Sequence, residues 1–336
     1  MASGSPALRL DRVRKTFGTH VAVDDLSVTV PPGVIYGFIG PNGAGKTTTL
    51  RMIVDIIRPD RGTIEVLGER DPAAIRERIG YLPEERGMYK KMRTLEFIGY
   101  IGSLKGMSPA AARERGARLM EEYGLGKWTK ANIDNLSKGM SQKLQFISTI
   151  VHDPELLILD EPFSGLDPVN IEALKQAVLQ SRRAGRTIIF STHMMEQAER
   201  LCDSIFMIHD GHKVLDGPVQ EIKSSVARRA VRLRAYGDLD FVKGLPEVER
   251  VREYGNDLEI FLRDDASPQK LLREITARTE VSLFDVSEPS LYDIFIEKVA
   301  PDRRHTITAD GSLVAASESR AAAAGEAAQA PGTTED

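Results

Sequence analysis

Cysteine and long apolar runs are nearly absent from this chain. Its 336 residues contain one cysteine, Cys202, which excludes a disulfide framework and a zinc site built from several cysteines. No apolar run approaches the roughly 18 residues that a membrane-spanning helix needs, and the N-terminus has no apolar signal-peptide segment. We therefore expect a soluble intracellular protein that reaches a membrane only through a partner.

An excess of basic charge is also lacking. There are 45 Lys and Arg residues against 49 Asp and Glu residues, for a net charge of −4. This balance excludes a broad basic surface and disfavours nucleic-acid binding. The hydrophobic fraction of 41% and the charged fraction of 28% are those of an ordinary globular protein, and the length predicts about two domains.

Strand and helix patterns alternate over the first two thirds of the chain. The stretches LLILD and TIIFST are continuous apolar runs, separated by the helical pattern NIEALKQAVLQSRRAG. This alternation indicates an α/β fold whose parallel sheet is covered on both faces. We assign residues 1–223 to this first domain, with a helical subdomain at about residues 94–140.

The last third predicts a small second domain and a tail. Residues 224–300 follow the order β-(short α)-β-β-α-β, which resembles a ferredoxin-like α+β module. From residue 301 onward Ala, Ser, Gly and Thr dominate and large apolar residues are few. We expect residues 301–336 to be disordered.

A phosphate-binding loop is the strongest motif. GPNGAGKTT at Gly40–Thr48 matches G-x-x-x-x-G-K-[ST] between a strand and a helix. Its glycines let backbone N–H groups face phosphate oxygens, and the helix start adds its positive dipole end. Lys46 would hold the β- and γ-phosphates and Thr47 would bind Mg²⁺. The predicted nucleotide-binding residues are Gly40, Pro41, Asn42, Gly43, Ala44, Gly45, Lys46, Thr47 and Thr48.

Two further strand ends carry reactive side chains. LLILDEP ends in Asp160 and Glu161; Asp160 would hold the Mg²⁺ shell, and Glu161 would orient and deprotonate the attacking water. His193 ends the strand TIIFST at the same sheet edge and could contact the γ-phosphate or that water. The alternatives are that Asp160 and Glu161 form a solvated acidic turn and that His193 is structural. The presence of the phosphate loop in the same chain disfavours both.

Taken in order from Leu8 to about Gln220, these motifs resemble the ATP-binding subunit of ABC transporters. SGLD at Ser164–Asp167 is similar to the D-loop of that family, and LSKGM at Leu136–Met140 is similar to its signature motif LSGGQ. The resemblance implies a P-loop NTPase core with a mixed sheet and a helical subdomain. Residues 224–299 resemble the small C-terminal domain of some drug, antibiotic or sodium exporters.

The resemblance also implies roles for single residues. Phe17 occupies the place of the aromatic residue that stacks on adenine, and Asp167 belongs to the nucleotide-binding D-loop. Ser137 and Gly139 would face the γ-phosphate of a nucleotide held by a second subunit. Ser137 can cap a helix running SQKLQFISTIVHD, residues 141–153. Glu84 stands where the family usually has glutamine; a carboxylate can bind Mg²⁺ but cannot donate a hydrogen bond when ionised.

The implied function is hydrolysis of Mg-ATP at a dimer interface, most simply in a homodimer. This reaction would drive export by a separate integral membrane permease, with the chain on the inner face of the membrane and no nucleic-acid partner. One alternative is a non-transport ABC ATPase acting on ribosomes or DNA, which the single ATPase core and the lack of a heptad run disfavour. The other alternative is a nucleotide-binding regulator that does not catalyse hydrolysis, and the presence of Glu161 and His193 disfavours it.

Overall fold

A computed structural model describes residues 5–85, 87–225, 230–255, 257–263, 266–287 and 289–299. Backbone contacts divide the chain into two units after Leu291. The three sheets that the described residues form lie in the first unit, and the described part of the second unit is the continuation of the last helix. The predicted tail at residues 301–336 lies outside the described residues.

The described residues form strands and helices that alternate through much of the chain. The strands are β1 (Leu8–Phe17), β2 (His20–Val30), β3 (Ile35–Ile39), β4 (Arg61–Val66), β5 (Ile79–Leu82), β6 (Leu156–Leu159), β7 (Thr187–Thr192), β8 (Ser204–His209), β9 (His212–Pro218), β10 (Ala230–Ala235), β11 (Val248–Tyr254), β12 (Asp257–Leu262) and β13 (Val281–Ser287). The α-helices are α1 (Lys46–Ile53), α2 (Pro72–Ile75), α3 (Thr94–Leu104), α4 (Pro109–Glu122), α5 (Lys138–Ile150), α6 (Pro168–Arg183), α7 (Met195–Leu201), α8 (Val219–Ser225), α9 (Pro268–Thr276) and α10 (Leu291–Val299).

A six-stranded mixed sheet forms the centre of the first unit. Its order is β5-β6-β7-β3-β8-β9, and every neighbouring pair is parallel except β8 and β9. Strands β3, β6 and β7 are buried along their whole length, as expected for parallel strands covered on both faces. Their carboxyl ends meet at one edge of the sheet, where ligands of open α/β sheets bind.

A smaller antiparallel sheet, β2-β1-β4, shares its apolar core with the central sheet. Alternate residues of β1, such as Leu8 and Leu10, are buried in this core, which is the pattern of a strand with one covered face. Strand β1 ends at Phe17, beside the turn into β2.

Helices α3, α4 and α5 pack against one another. Their apolar faces form a separate buried cluster that includes Phe97, Met120 and Leu144. Helix α5 begins at Lys138 and ends at Ile150, so the expected range of residues 141–153 was wrong at both ends. The helix starts three residues earlier because the Ser137 hydroxyl accepts a hydrogen bond from Met140 N and caps it directly.

The C-terminal strands form a four-stranded antiparallel sheet in the order β11-β12-β10-β13. A short 3₁₀ helix, Asp240–Gly244, stands where the short helix was expected. Buried residues of the sheet, among them Val231 and Ile260, pack with Leu271 and Ile275 of α9. The strand order and the β-α-β-β-α-β sequence agree with the expected ferredoxin-like module.

Across the described parts of the chain, none of the helices combines the length and the apolar character that crossing a bilayer requires.

Candidate nucleotide site

The phosphate loop joins β3 to α1 through backbone conformations that glycine adopts easily. Gly43 has φ +81° and Gly45 has φ +107°. A Cβ atom on Gly45 would lie 2.5 Å from the carbonyl oxygen of Ala22, so this position needs glycine for space as well as for conformation. Helix α1 begins at Lys46, which directs its positive dipole end at the loop, as an anion site requires.

The side chain of Lys46 is almost fully buried beneath the loop, at 5% exposure. Its Nζ donates hydrogen bonds to the carbonyl oxygens of Gly40 at 2.8 Å and Pro41 at 3.0 Å, and it lies 3.6 Å from Oε1 of Glu161. Burial lowers the pKa of Lys46, and the carboxylates of Glu161 and Glu84 oppose that shift. A cation is thus held next to N–H groups that can receive phosphate.

Asp160 lies at the end of β6 and is fully buried. Its Oδ1 accepts hydrogen bonds from Thr47 Oγ1 at 3.1 Å and from Ser191 Oγ at 2.6 Å. Its Oδ2 is buried and has no hydrogen-bond partner within the described chain. A hydroxyl beside a carboxylate oxygen without a partner is a donor set that suits Mg²⁺, which prefers hard oxygen ligands.

Glu161 is oriented from two sides. Its N–H donates to Ser191 Oγ at 2.9 Å, and His193 Nδ1 lies 3.1 Å from both of its carboxylate oxygens. The backbone of Glu161 has φ +45°, which is unusual for a residue with a Cβ and is common at active sites. The structure therefore joins Lys46, Thr47, Asp160, Glu161 and His193 through direct contacts.

Ser191 is a site residue that the sequence motifs did not single out. It contacts both acidic residues because β6 and β7 pair in parallel with Leu159 opposite Phe190, so the next residues, Asp160 and Ser191, are neighbours. A hydroxyl two residues before His193 in the stretch STH is the sequence signal that could have marked it.

The predicted signature and D-loop residues form a second group. Ser137 caps α5, and Asp167 caps α6 by accepting from Asn170 N at 3.0 Å. A Cβ atom on Gly139 would lie 2.3 Å from Asn170 Nδ2, so α5 and the start of α6 meet at this glycine. Over the described residues, no hydrogen bond or ion pair links Ser137, Gly139 or Asp167 to the phosphate loop.

A cavity of about 380 Å³ lies between the segments that follow β5 and β6 and the N-terminus of α5. Six side chains line it: Glu84, Glu85, Lys138, Gln142, Glu161 and Ser164. Glu84 therefore faces the same space as Glu161, which a role close to the γ-phosphate would require.

Phe17 lies on the smaller sheet with 49% of its surface exposed, and Lys15 Nζ is 5.5 Å from its ring centroid.

The fold and the contacts around Lys46 and Asp160 define a P-loop nucleoside triphosphatase. Comparison with known proteins narrows the class. The family model described as ABC transporter matches residues 23–164, and the one described as ATP-binding protein DrrA1-3-like, C-terminal domain, matches residues 217–299.

Individual relatives agree with these matches. The uncharacterized ABC transporter ATP-binding protein YhaQ of Bacillus subtilis (strain 168) is 40% identical over 292 residues, which cover 87% of this chain and 98% of YhaQ. The daunorubicin/doxorubicin resistance ATP-binding protein DrrA of Streptomyces peucetius is 33% identical over 307 residues, 86% of this chain and 91% of DrrA. A solved ATP-binding subunit of an ABC transporter superimposes with a TM-score of 0.60 and 31% identity, over 65% of this chain and 92% of that one.

The chain therefore belongs to the family of ABC transporter ATP-binding proteins. It is an ATP-hydrolysing subunit of an ABC transporter. The expected family, fold class and ATPase activity are confirmed. These relatives give no support to the alternative of a ribosome- or DNA-acting ATPase.

Proposed function

We propose that two copies of this chain bind Mg-ATP at their interface and drive a separate integral membrane permease that exports its substrate. The observation that carries the proposal is the contact chain from Thr47 through Asp160 and Ser191 to Glu161 and His193. These contacts support the proposal because a hydroxyl, a buried carboxylate and a second, oriented carboxylate lie together at one sheet edge, next to a buried lysine.

In this proposal, Lys46 and the loop N–H groups hold the phosphates. Thr47 and Asp160 would hold Mg²⁺, with Glu84 as a further ligand for the ion or its water. The ion, when bound, neutralises charge that develops on the phosphates. Glu161 accepts a proton from the attacking water. The oxygen of that water bonds to the γ-phosphorus, and the bond between the γ-phosphorus and the β,γ-bridging oxygen breaks. His193 holds Glu161 in place, and the products are ADP and phosphate.

The second copy would supply the residues that stand apart in one chain. Ser137 and Asp167 are exposed and are separate from their own phosphate loop, while the start of α5 offers N–H groups to an anion. We propose that Ser137, Gly139 and Asp167 of one copy close over the nucleotide held by the other. Phe17 would stack on the adenine of the nucleotide bound in its own chain.

The permease would dock on residues 83–85 and 87–100, which include the first turns of α3. Two exposed aromatic residues there, Tyr89 and Tyr100, pair edge to face with their ring centroids 5.8 Å apart, which offers apolar surface to a partner. Docking would keep the chain on the inner face of the membrane. Export rests on the C-terminal match to DrrA.

The domain plan that goes with this proposal assigns residues 1–223 to the ATPase core and residues 94–140 to its helical subdomain. Residues 224–300 would form the accessory domain. The separate apolar clusters of the helical subdomain and of the C-terminal sheet support these assignments.

The variant Glu161→Gln tests the dimer and the base together. We expect ATP hydrolysis to fall about 100-fold or more and Mg-ATP to trap a dimer that size-exclusion chromatography and solution scattering detect. Adding Ser137→Ala to this variant should abolish the trapped dimer. Hydrolysis at the parental rate would exclude Glu161 as the base, and a nucleotide-loaded species that stays a single copy would exclude the shared site.

Affinity purification from detergent-solubilised membranes tests the permease. We expect a multi-span membrane protein to co-purify with the chain, and substitution of Tyr89 and Tyr100 by Ser to reduce its yield. Recovery of ribosomal RNA or DNA in place of a membrane protein would contradict the proposal.

A further inference from the structure

A buried amide connects helix α5 to the backbone next to the proposed base. The side chain of Gln142 is 4% exposed, and its Nε2 donates a hydrogen bond to the carbonyl oxygen of Pro162 at 3.0 Å. Pro162 directly follows Glu161 in the chain. Gln142 also lines the cavity that Glu161 faces, so the amide lies close to the proposed reaction centre, although Gln142 is outside the predicted signature motif at Leu136–Met140.

The backbone at Glu161 needs such support. A positive φ of +45° is unfavourable for a residue with a Cβ, and a following proline further restricts the residue before it. Strained conformations of this kind persist only where several contacts fix them. Ser191 Oγ fixes Glu161 on the N-terminal side, and the turn hydrogen bond from Ser164 N to Glu161 O constrains its other side.

We infer that Gln142 is a positioning residue for ATP hydrolysis. Its amide holds the Pro162 carbonyl and thereby keeps the Glu161 carboxylate aimed at the attacking water. The inference rests on the proposed role of Glu161 as the base. Gln142 acts through Pro162, so its loss should slow the chemical step and leave nucleotide binding by Lys46 and the loop nearly unchanged.

Two substitutions separate the hydrogen bond from the packing. Gln142→Met keeps the volume but removes the donor, so we expect kcat to fall about tenfold or more, while KM for ATP stays within about twofold. Gln142→Glu keeps the shape and can donate to Pro162 O only while its carboxyl group is protonated. The ratio of its kcat to that of Gln142→Met should therefore rise as the assay pH is lowered from about 8 to about 5, because burial raises a carboxyl pKa above its usual value of about 4.3.

Ser148→Ala is the matched control on the same helix. Ser148 is 4% exposed and donates to the carbonyl oxygen of Gln145, away from Glu161, so we expect a parental kcat. Melting temperature and Mg-ATP affinity show that each variant is folded and loaded. The inference is overturned by a parental kcat in Gln142→Met, by equal losses in Gln142→Met and Ser148→Ala, or by a pH-independent ratio. If Glu161→Gln is inactive while Gln142→Met is parental, only this inference fails; if Glu161→Gln is active, the proposed function fails.

Discussion

The Nδ1 atom of His193 lies 3.1 Å from each carboxylate oxygen of Glu161. The imidazole is 43% exposed, whereas the carboxylate is 8% exposed, so His193 stands between solvent and the buried carboxylate. The two residues follow the carboxyl ends of neighbouring parallel strands, β6 and β7. This arrangement lets one side chain fix the orientation of the other.

Replacing His193 by Ala should lower kcat about 10- to 100-fold, because an unanchored Glu161 spends less time in the orientation that proton transfer needs. ATP affinity should change little, since no hydrogen bond or ion pair among the described residues joins the His193 side chain to Lys46 or the phosphate loop. Steady-state phosphate release and equilibrium nucleotide binding measure the two effects. His212→Ala, an exposed histidine on β9, serves as the control, and a parental kcat in His193→Ala would contradict the role.

Two glycines of the phosphate loop should differ in their tolerance of alanine. At Gly45 a Cβ meets the Ala22 carbonyl oxygen at 2.5 Å, whereas at Gly43 it meets nothing within 4 Å. Both positions have positive φ, so both variants are strained. We expect Gly43→Ala to cost about 1 kcal/mol of unfolding free energy and Gly45→Ala to cost at least about 2 kcal/mol. Urea unfolding without nucleotide measures both, and equal losses would show that the close approach to Ala22 is unimportant.

Because His152 is partly buried, we expect the stability of the fold to depend on pH. Burial, aided by the nearby Lys105 ammonium, lowers its pKa from 6.5 to about 4, while Nε2 contacts the Ile79 carbonyl oxygen at 3.1 Å. Between these two pKa values the unfolded chain binds a proton that the folded chain does not, so stability falls as the pH drops. When the pH is lowered from about 7.5 to about 5, the free energy of unfolding of the parental chain, measured with urea, should fall by about 2 kcal/mol more than that of His152→Gln. Parallel pH profiles would contradict this.

The sheet edge that carries the site could be predicted from sequence because the apolar runs of β3, β6 and β7 are local signals. Each run is continuous, and each is followed directly by a polar motif. The fixed order of parallel strands then brings Gly40, Asp160 and His193 to one edge. The phosphate loop conformation is also local, since its glycines permit the positive φ values that the structure shows.

Ser191 and Gln142 could not be identified in the same way. The contact of Ser191 with Asp160 depends on which residues of β6 and β7 lie opposite each other, and the contact of Gln142 with Pro162 depends on how α5 packs against the sheet. Both are set by tertiary packing between segments that are distant in sequence. The start of α5 differs for a local reason: the sequence pattern predicts a start at residue 141, four residues after the cap Ser137, whereas the helix begins directly after that cap, at Lys138.

Phe17 offers a test of the base-binding end of the site. Its ring is 49% exposed at the end of β1, so it can stack on adenine without rearrangement. Because stacking of a base on an aromatic ring contributes about 1–3 kcal/mol, Phe17→Ala should weaken ATP binding about tenfold, and Phe17→Trp should preserve it. Tripolyphosphate has no base, so its affinity should be equal in all three proteins. Isothermal titration with both ligands decides the matter: equal losses for ATP and tripolyphosphate would place the effect in the loop, and unchanged ATP affinity in Phe17→Ala would remove Phe17 from the site.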